Sequence, residues 1–306
     1  MSVHVEDGVT HTKIATDEPS QMVSIRTLAG WLSFEEATAQ ARGRLPEPFE
    51  DLADFKSEVA ARHSAVATRA QFLGGDPIVQ EDRTLLDQAV ARPEVQEILQ
   101  STNGSVEWVD MRKVVSVQKR ITTDGLNARV SSASQDKVVL VELCLPAAHD
   151  VAPLPVLGSV GEHGATLSSL NPNLRVYQMI PMMQEVRNSP ELPAHKVQGV
   201  MVLFGIPSSY VSVVRYHGRY FLRDGYHRVA GLLKAGITTI PALVNDASTF
   251  DYVSPPKQDL FRYEVAMSGT PPLVGDFWDE SVACSGAIPA VRKVVRIRAD
   301  EFCTQG

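Results

Sequence analysis

The sequence predicts an α/β (α+β) fold, and three observations lead there. The composition is 44% hydrophobic and 21% charged, the balance of a chain that buries a core. Residues 49–72 place Phe49, Leu52, Phe55, Val59 and Ala60 at a period near 3.6, the mark of an amphipathic helix. Between residues 210 and 244, short β-branched and aromatic runs alternate with Gly-containing turns and one helical stretch, which reads as strands with a crossover helix.

Taken in order, residues 1–20 form a polar leader, expected to be flexible. The region 21–130 is expected to be mainly helical. Ser33, with Glu36 three residues on, precedes an alanine-rich helix that Pro46 and Pro48 end. Gly74-Gly75-Asp76-Pro77 breaks the chain after the second helix. Two shorter helices are then expected around Leu85–Val90 and Val95–Leu99, divided at Pro93. Residues 106–121 fit a helix and a strand equally.

The region 131–250 is expected to hold the α/β core. Lys137–Leu145 reads as a buried strand closed by Pro146, and Thr166–Pro181 as an extended region interrupted at Asn171-Pro172. Val197, Val200, Met201 and Phe204 suggest a helix that Gly205 terminates. Strands at 210–216 and 219–223 follow, joined by a His217-Gly218 turn. A helix over 226–235 is capped by Gly236, and 239–244 is a final buried strand. The remaining 251–306 is an extension expected to pack on the core, strand-like at Val291–Ile297.

Charge and cysteine usage narrow the function. A formal net charge of -7 opposes nucleic acid as a partner, because a phosphate backbone rewards dense Lys and Arg. Cys144, Cys284 and Cys303 are far apart and form no C-x-x-C pair, so neither a disulfide framework nor a cysteine metal site is expected. No signal-peptide pattern opens the chain, and the apolar runs are short of the roughly 20 residues that span a bilayer. A cytoplasmic protein without a membrane segment is the expectation.

The chemistry-bearing stretch is Asp224-Gly225-Tyr226-His227-Arg228, set between a strand and a helix. A helix N-terminus presents N–H groups and partial positive charge, and so attracts anions. Gly225 permits close backbone approach, His227 can donate a hydrogen bond, and Arg228 can bind phosphate oxygens in bidentate fashion. Against this stand ordinary readings: Asp224 as a turn and cap residue, and Arg228 as the partner of a core carboxylate.

Over residues 192–245 the chain resembles the ParB/sulfiredoxin-like superfamily. The resemblance rests on Tyr220-Phe-Leu-Arg-Asp-Gly-Tyr-His-Arg-Val-Ala-Gly-Leu-Leu-Lys-Ala-Gly236, followed by Ile240-Pro-Ala-Leu-Val244. It implies nucleotide phosphates on Gly225, His227 and Arg228. Tyr226 reads as a packing or stacking residue, whose ring could take a base or sugar of the bound nucleotide. The Asn171-Pro172-Asn173-Leu174-Arg175 segment resembles the Asn-Pro-Arg stretch of ParB-type domains, which implies Arg175 beside the nucleotide. Sulfiredoxins carry their reactive cysteine where this chain has Tyr226, which excludes transfer through a cysteine there. The helix-turn-helix that follows this module in partition proteins has no counterpart after Val244.

The resemblance extends to free-serine kinases, which implies a carboxylate base; Asp224 and Glu185 are the candidates. The expectation is a nucleotide-phosphate-binding protein, with ATP or CTP and Mg²⁺ as cofactors, acting as an NTP hydrolase or small-molecule phosphotransferase. The alternatives are a non-catalytic nucleotide sensor that meets a protein partner or a second copy of itself, and a ParB-like nuclease, which the acidic balance disfavours. No protein-built metal site is expected. Asp276, Asp279 and Glu280 around Phe277-Trp278 read as a solvated loop with aromatic anchors, and Met179, Met182 and Met183 as core fillers.

Overall fold

A computed structural model of the chain describes residues 22–37, 52–81, 83–124, 136–146, 156–161, 164–169, 174–186, 195–205, 210–257, 259–290 and 293–298. The expected leader, Asn171–Asn173 and Cys303 lie outside them. The fold mixes α and β elements. The strands are β1 (Met22–Thr27), β2 (Ser105–Asp110), β3 (Val115–Ser116), β4 (Arg120–Thr122), β5 (Val156–Gly161), β6 (Gly164–Ser169), β7 (Arg175–Val186), β8 (His195–Gly205), β9 (Ser212–Tyr216), β10 (Arg219–Asp224), β11 (Thr239–Asp246), β12 (Cys284–Pro289) and β13 (Lys293–Arg298). The helices are α1 (Leu52–Ala67), α2 (Thr84–Val90), α3 (Pro93–Thr102), α4 (Lys137–Cys144), α5 (Tyr226–Lys234), α6 (Phe250–Val253) and α7 (Tyr263–Ala266).

The central sheet has the order β2-β11-β9-β10-β3. β9 and β10 form a hairpin through His217 and Gly218, whose φ values of 47° and 74° give two successive left-handed residues. That turn carries the right-handed twist of the strands it joins. After β10 the chain enters α5 and returns as β11, parallel to β9. β2 pairs antiparallel with β11 and β3 pairs parallel with β10, so one sheet draws strands from either side of residue 130.

A second sheet, β12-β1-β4, ties residues 22–27 to residues 284–289. The short helical turn Val274–Trp278 packs on α5, where Trp278 Nε1 donates to the Ala230 carbonyl at 2.9 Å. The Val274–Trp278 turn therefore lies against α5. The core joins Trp108, Phe221, Leu222, Val229, Leu232 and Ile240, among others, in one buried cluster. Full burial of a side chain such as Phe221 stabilises by roughly 1.5–3 kcal/mol.

The helix at Ser33 begins with a reciprocal cap: Glu36 N–H donates to Ser33 Oγ, and Ser33 N–H donates to the Glu36 carboxylate. Pro93 opens α3, where its missing N–H costs nothing. Two expectations are overturned. Lys137–Cys144 is helix α4, not a strand: Asp136 accepts from the Val138 N–H at its start, and the helix packs on β11 and α2. His195–Gly205 is strand β8, not a helix, because it pairs along its length with β7.

Residues 106–121, which fitted either form, contain β2, β3 and the start of β4. The methionines expected in the core are on the surface: Met179, Met182 and Met183 all project from β7 into solvent. Among the described residues, no helix is long and apolar enough to cross a membrane.

Candidate functional site

The Asp224–Arg228 turn sits where β10 ends and α5 begins. Gly225 has φ 89°, and a Cβ placed there would lie 2.9 Å from the Val211 Cα and 3.1 Å from the Tyr210 carbonyl oxygen. Only glycine meets both demands, so the neighbouring backbone closes directly against the helix entrance. The Gly225 carbonyl accepts the first helical bond, from the Val229 N–H at 3.0 Å. Asp224 is exposed, and its Oδ1 accepts from the Gly225 N–H at 2.7 Å.

Tyr226 is buried. Its hydroxyl donates to the Leu222 carbonyl at 2.6 Å and accepts from the Val117 N–H at 2.8 Å, while its ring meets Phe277 edge-on. Burial, opposed by hydrogen bonds from Ser116, Val117 and Gln118, pushes the phenol up to about 12. The side chain locks β10, α5 and the 117–118 segment together, and its ring is closed to a base or sugar.

His227 is half-buried, with Nε2 2.6 Å from Thr122 Oγ1 on β4. Arg228 is buried, 9% exposed, and its charge reaches the Cys144 thiol at the end of α4. Burial pushes that thiol up to about 12, against the pull of Arg228, so Cys144 is a neutral core thiol and not a nucleophile. The entrance of α5 thus gathers the turn backbone, one imidazole and one guanidinium, with elements from residues 122, 144 and 211 around it.

Arg223, two residues before Gly225, belongs to a polar and aromatic group. The Arg223 guanidinium sits 3.9 Å from the Tyr252 ring centroid, and Asn245 Nδ2 donates to the Tyr252 hydroxyl at 3.2 Å. Burial, together with the nearby Asp224 carboxylate, raises the Tyr210 phenol. Sequence reasoning missed Thr122, Tyr210, Asn245 and Tyr252. Only Arg223, adjoining Asp224, was within its reach, because the others arrive from separate elements.

Glu185 and Arg175 are not gathered with each other. Both belong to β7, and ten residues of extended chain separate them by about 33 Å. Glu185 is exposed and faces Lys196 across the β7–β8 ribbon. That ribbon pairs with no further strand among the described residues.

The acidic trio near Trp278 is paired and partly buried, not simply solvated. Arg69 donates to Asp276 at 2.8 Å and to Asp279 at 2.6 Å, while Arg26 donates to Glu280 at 2.7 Å. Among the described residues, no group of three or more His, Cys, Asp or Glu side chains could hold a metal ion. An open cavity of about 310 Å³, lined by Arg69, Phe72, Thr270 and Leu273 among others, lies toward the start of β10, where Arg219 stacks on Phe72. It is at the other end of that strand from the turn.

No family model, no curated protein and no solved structure matches this chain.

Proposed function

We propose that the chain carries a ParB/sulfiredoxin-like core and binds a phosphate-bearing nucleotide at the entrance of α5. The observation that carries this reading is the N-terminus of α5 itself, entered through Gly225 at φ 89° with His227 and Arg228 in its first turn. The order β9, β10, α5, β11, with β11 parallel to β9, supports it as the sheet and crossover that such a core requires. The phosphates would lie on the turn backbone, with His227 and Arg228 supplying donors and charge.

These groups fit an oxyanion. Mg²⁺ would be held chiefly by the phosphates of the ligand, with Asp224 as the carboxylate at the turn. Bound there, the ion would neutralise phosphate charge. Between turnover and sensing, the geometry favours sensing: the Asp224 carboxylate already accepts the Gly225 N–H, and Glu185 lies on the separate β7–β8 ribbon. Neither carboxylate is supported as a base.

The test is thermal unfolding of the full chain with ATP, CTP, GTP and UTP, each with and without Mg²⁺. A ligand that binds only the native state at about 100 times its Kd contributes about 2.7 kcal/mol, which corresponds to a rise of several degrees in Tm. The rise is expected with at least one nucleotide and is expected to vanish in both His227→Ala and Arg228→Gln. No rise with any of the four, or a rise untouched by both variants, overturns the assignment.

A further inference from the structure

Residues 117–122 run past the entrance of α5. At one end the Tyr226 hydroxyl accepts from the Val117 N–H at 2.8 Å, and at the other the His227 ring meets Thr122 Oγ1 at 2.6 Å. Consecutive residues of the first helical turn thus grip both ends of this stretch, and Arg120 lies between the two grips. Burial alternates along β4: Ile121 is buried in the core, while Arg120 and Thr122 are partly exposed. Side chains two apart in a strand share a face, and the pairing of Thr27 with Arg120 and of Ile25 with Thr122 holds that register. Arg120 therefore projects on the face where Thr122 meets His227, roughly 6.6 Å along the strand.

Arg120 Nη2 pairs with Asp259 Oδ1 at 3.0 Å, and the two side chains are 33% and 63% exposed. The backbone fixes Asp259 there: the Lys119 N–H donates to its carbonyl at 3.1 Å, and the Phe261 N–H donates to the Val117 carbonyl at 2.7 Å. An exposed ion pair contributes little to stability, so the guanidinium can exchange this carboxylate for another anion. The arginine fork matches carboxylate and phosphate alike.

We propose that Arg120 is a third cationic contact of the anion site at α5, beside His227 and Arg228, and that Asp259 competes with the ligand's phosphate for it. The inference rests on the phosphate reading of that entrance. Asp259 is then an internal anion that sets a threshold for binding, and the two members of one ion pair have opposite effects on affinity.

The experiment is isothermal titration of the full chain with ATP, CTP, GTP and UTP, each with Mg²⁺, and with inorganic tripolyphosphate, at one salt concentration and after circular dichroism has confirmed folding. Loss of a charged donor to a ligand anion weakens binding by about tenfold or more, and that loss is expected for Arg120→Gln. Asp259→Asn keeps the size of the side chain and removes the competitor, so affinity is expected to rise about twofold to fivefold. The double variant is expected to match Arg120→Gln alone, because Asp259 acts through Arg120. Two controls make the same charge changes elsewhere and are expected to bind like the unmodified chain. They are Arg112→Gln, beyond the far end of α5 where the Met111 N–H meets the Thr238 carbonyl, and Asp87→Asn on α2.

Arg120→Gln that binds as tightly as the unmodified chain, or Asp259→Asn that binds no more tightly, overturns the proposal and leaves the assignment of the turn standing. Should Arg120→Gln not fold, Asp259→Asn decides alone, since a merely structural ion pair gives no gain in affinity. An unmodified chain that binds none of these probes overturns the reading of the entrance and this inference with it.

Discussion

At the scale of single residues, the turn is held by two side-chain-level constraints that predict measurable losses. Gly225→Ala must place a methyl 2.9 Å from the Val211 Cα while holding φ at 89°. The variant is expected to lose about 1–3 kcal/mol, read as a lower denaturation midpoint with unchanged slope. Tyr226→Phe keeps the ring but leaves the Leu222 carbonyl and the Val117 N–H without the hydroxyl they share. A buried pair stripped of its partner costs about 1–3 kcal/mol, so equilibrium unfolding in urea is expected to show a loss in that range.

The turn itself was legible, since Asp-Gly before a helical run announces a strand-to-helix turn. The fate of Tyr226 was not. An aromatic beside a suspected phosphate site reads as a stacking surface until the segment after β3 that holds Val117, more than 100 residues earlier, is seen to claim its hydroxyl.

At the scale of elements, the segments whose local signals agreed with their tertiary partners were the readable ones. α5 has both: apolar spacing that buries Val229 and Leu232, and a C-terminal Gly236 at φ 82° with Ile237 N–H bonded back to the Leu232 carbonyl. α4 and β8 were read the wrong way round because a short apolar run has no decisive period. In α4 the β-branched valines suggested a strand, and only Asp136 at its start spoke for a helix.

In β8 the valine and phenylalanine spacing matched a helix face, although the strand is apolar on both sides and so imitates any period. The cap of α4 gives a prediction at this scale. Asp136→Ala removes the acceptor for the Val138 N–H and is expected to lower stability by about 1 kcal/mol, checked by chemical denaturation.

At the scale of the whole molecule, paired carboxylates, two of them joining distant segments, set the response to pH. Burial raises the carboxyls of Glu36, Asp110 and Asp279, but Lys119 and Ser33, Arg112, and Ser281 with Arg69 respectively outweigh it and hold each below its usual value. Their contribution is present above the ordinary carboxylate range near pH 4 and is lost as pH falls through the lowered values. Asp276 has the opposite sign: burial raises it despite Arg69 and the Leu273 N–H, and its contribution is lost as pH rises through its raised value. Stability is therefore expected to fall on acidification below about pH 4, with Asp276→Asn removing the opposing component; the midpoint measured from pH 2 to 7 checks both.

The pairing of β1 with β12 also dictates a timetable. Met22 meets Pro289 and Thr27 meets Cys284, so the first described strand has no partner on one side until some 260 further residues exist. At about 5–20 residues per second, a nascent chain carries that edge unpaired for tens of seconds on the ribosome. Closure of the β12-β1-β4 sheet thus waits for the synthesis of residues 284–289, and shortening the chain before residue 284 leaves the edge open for good.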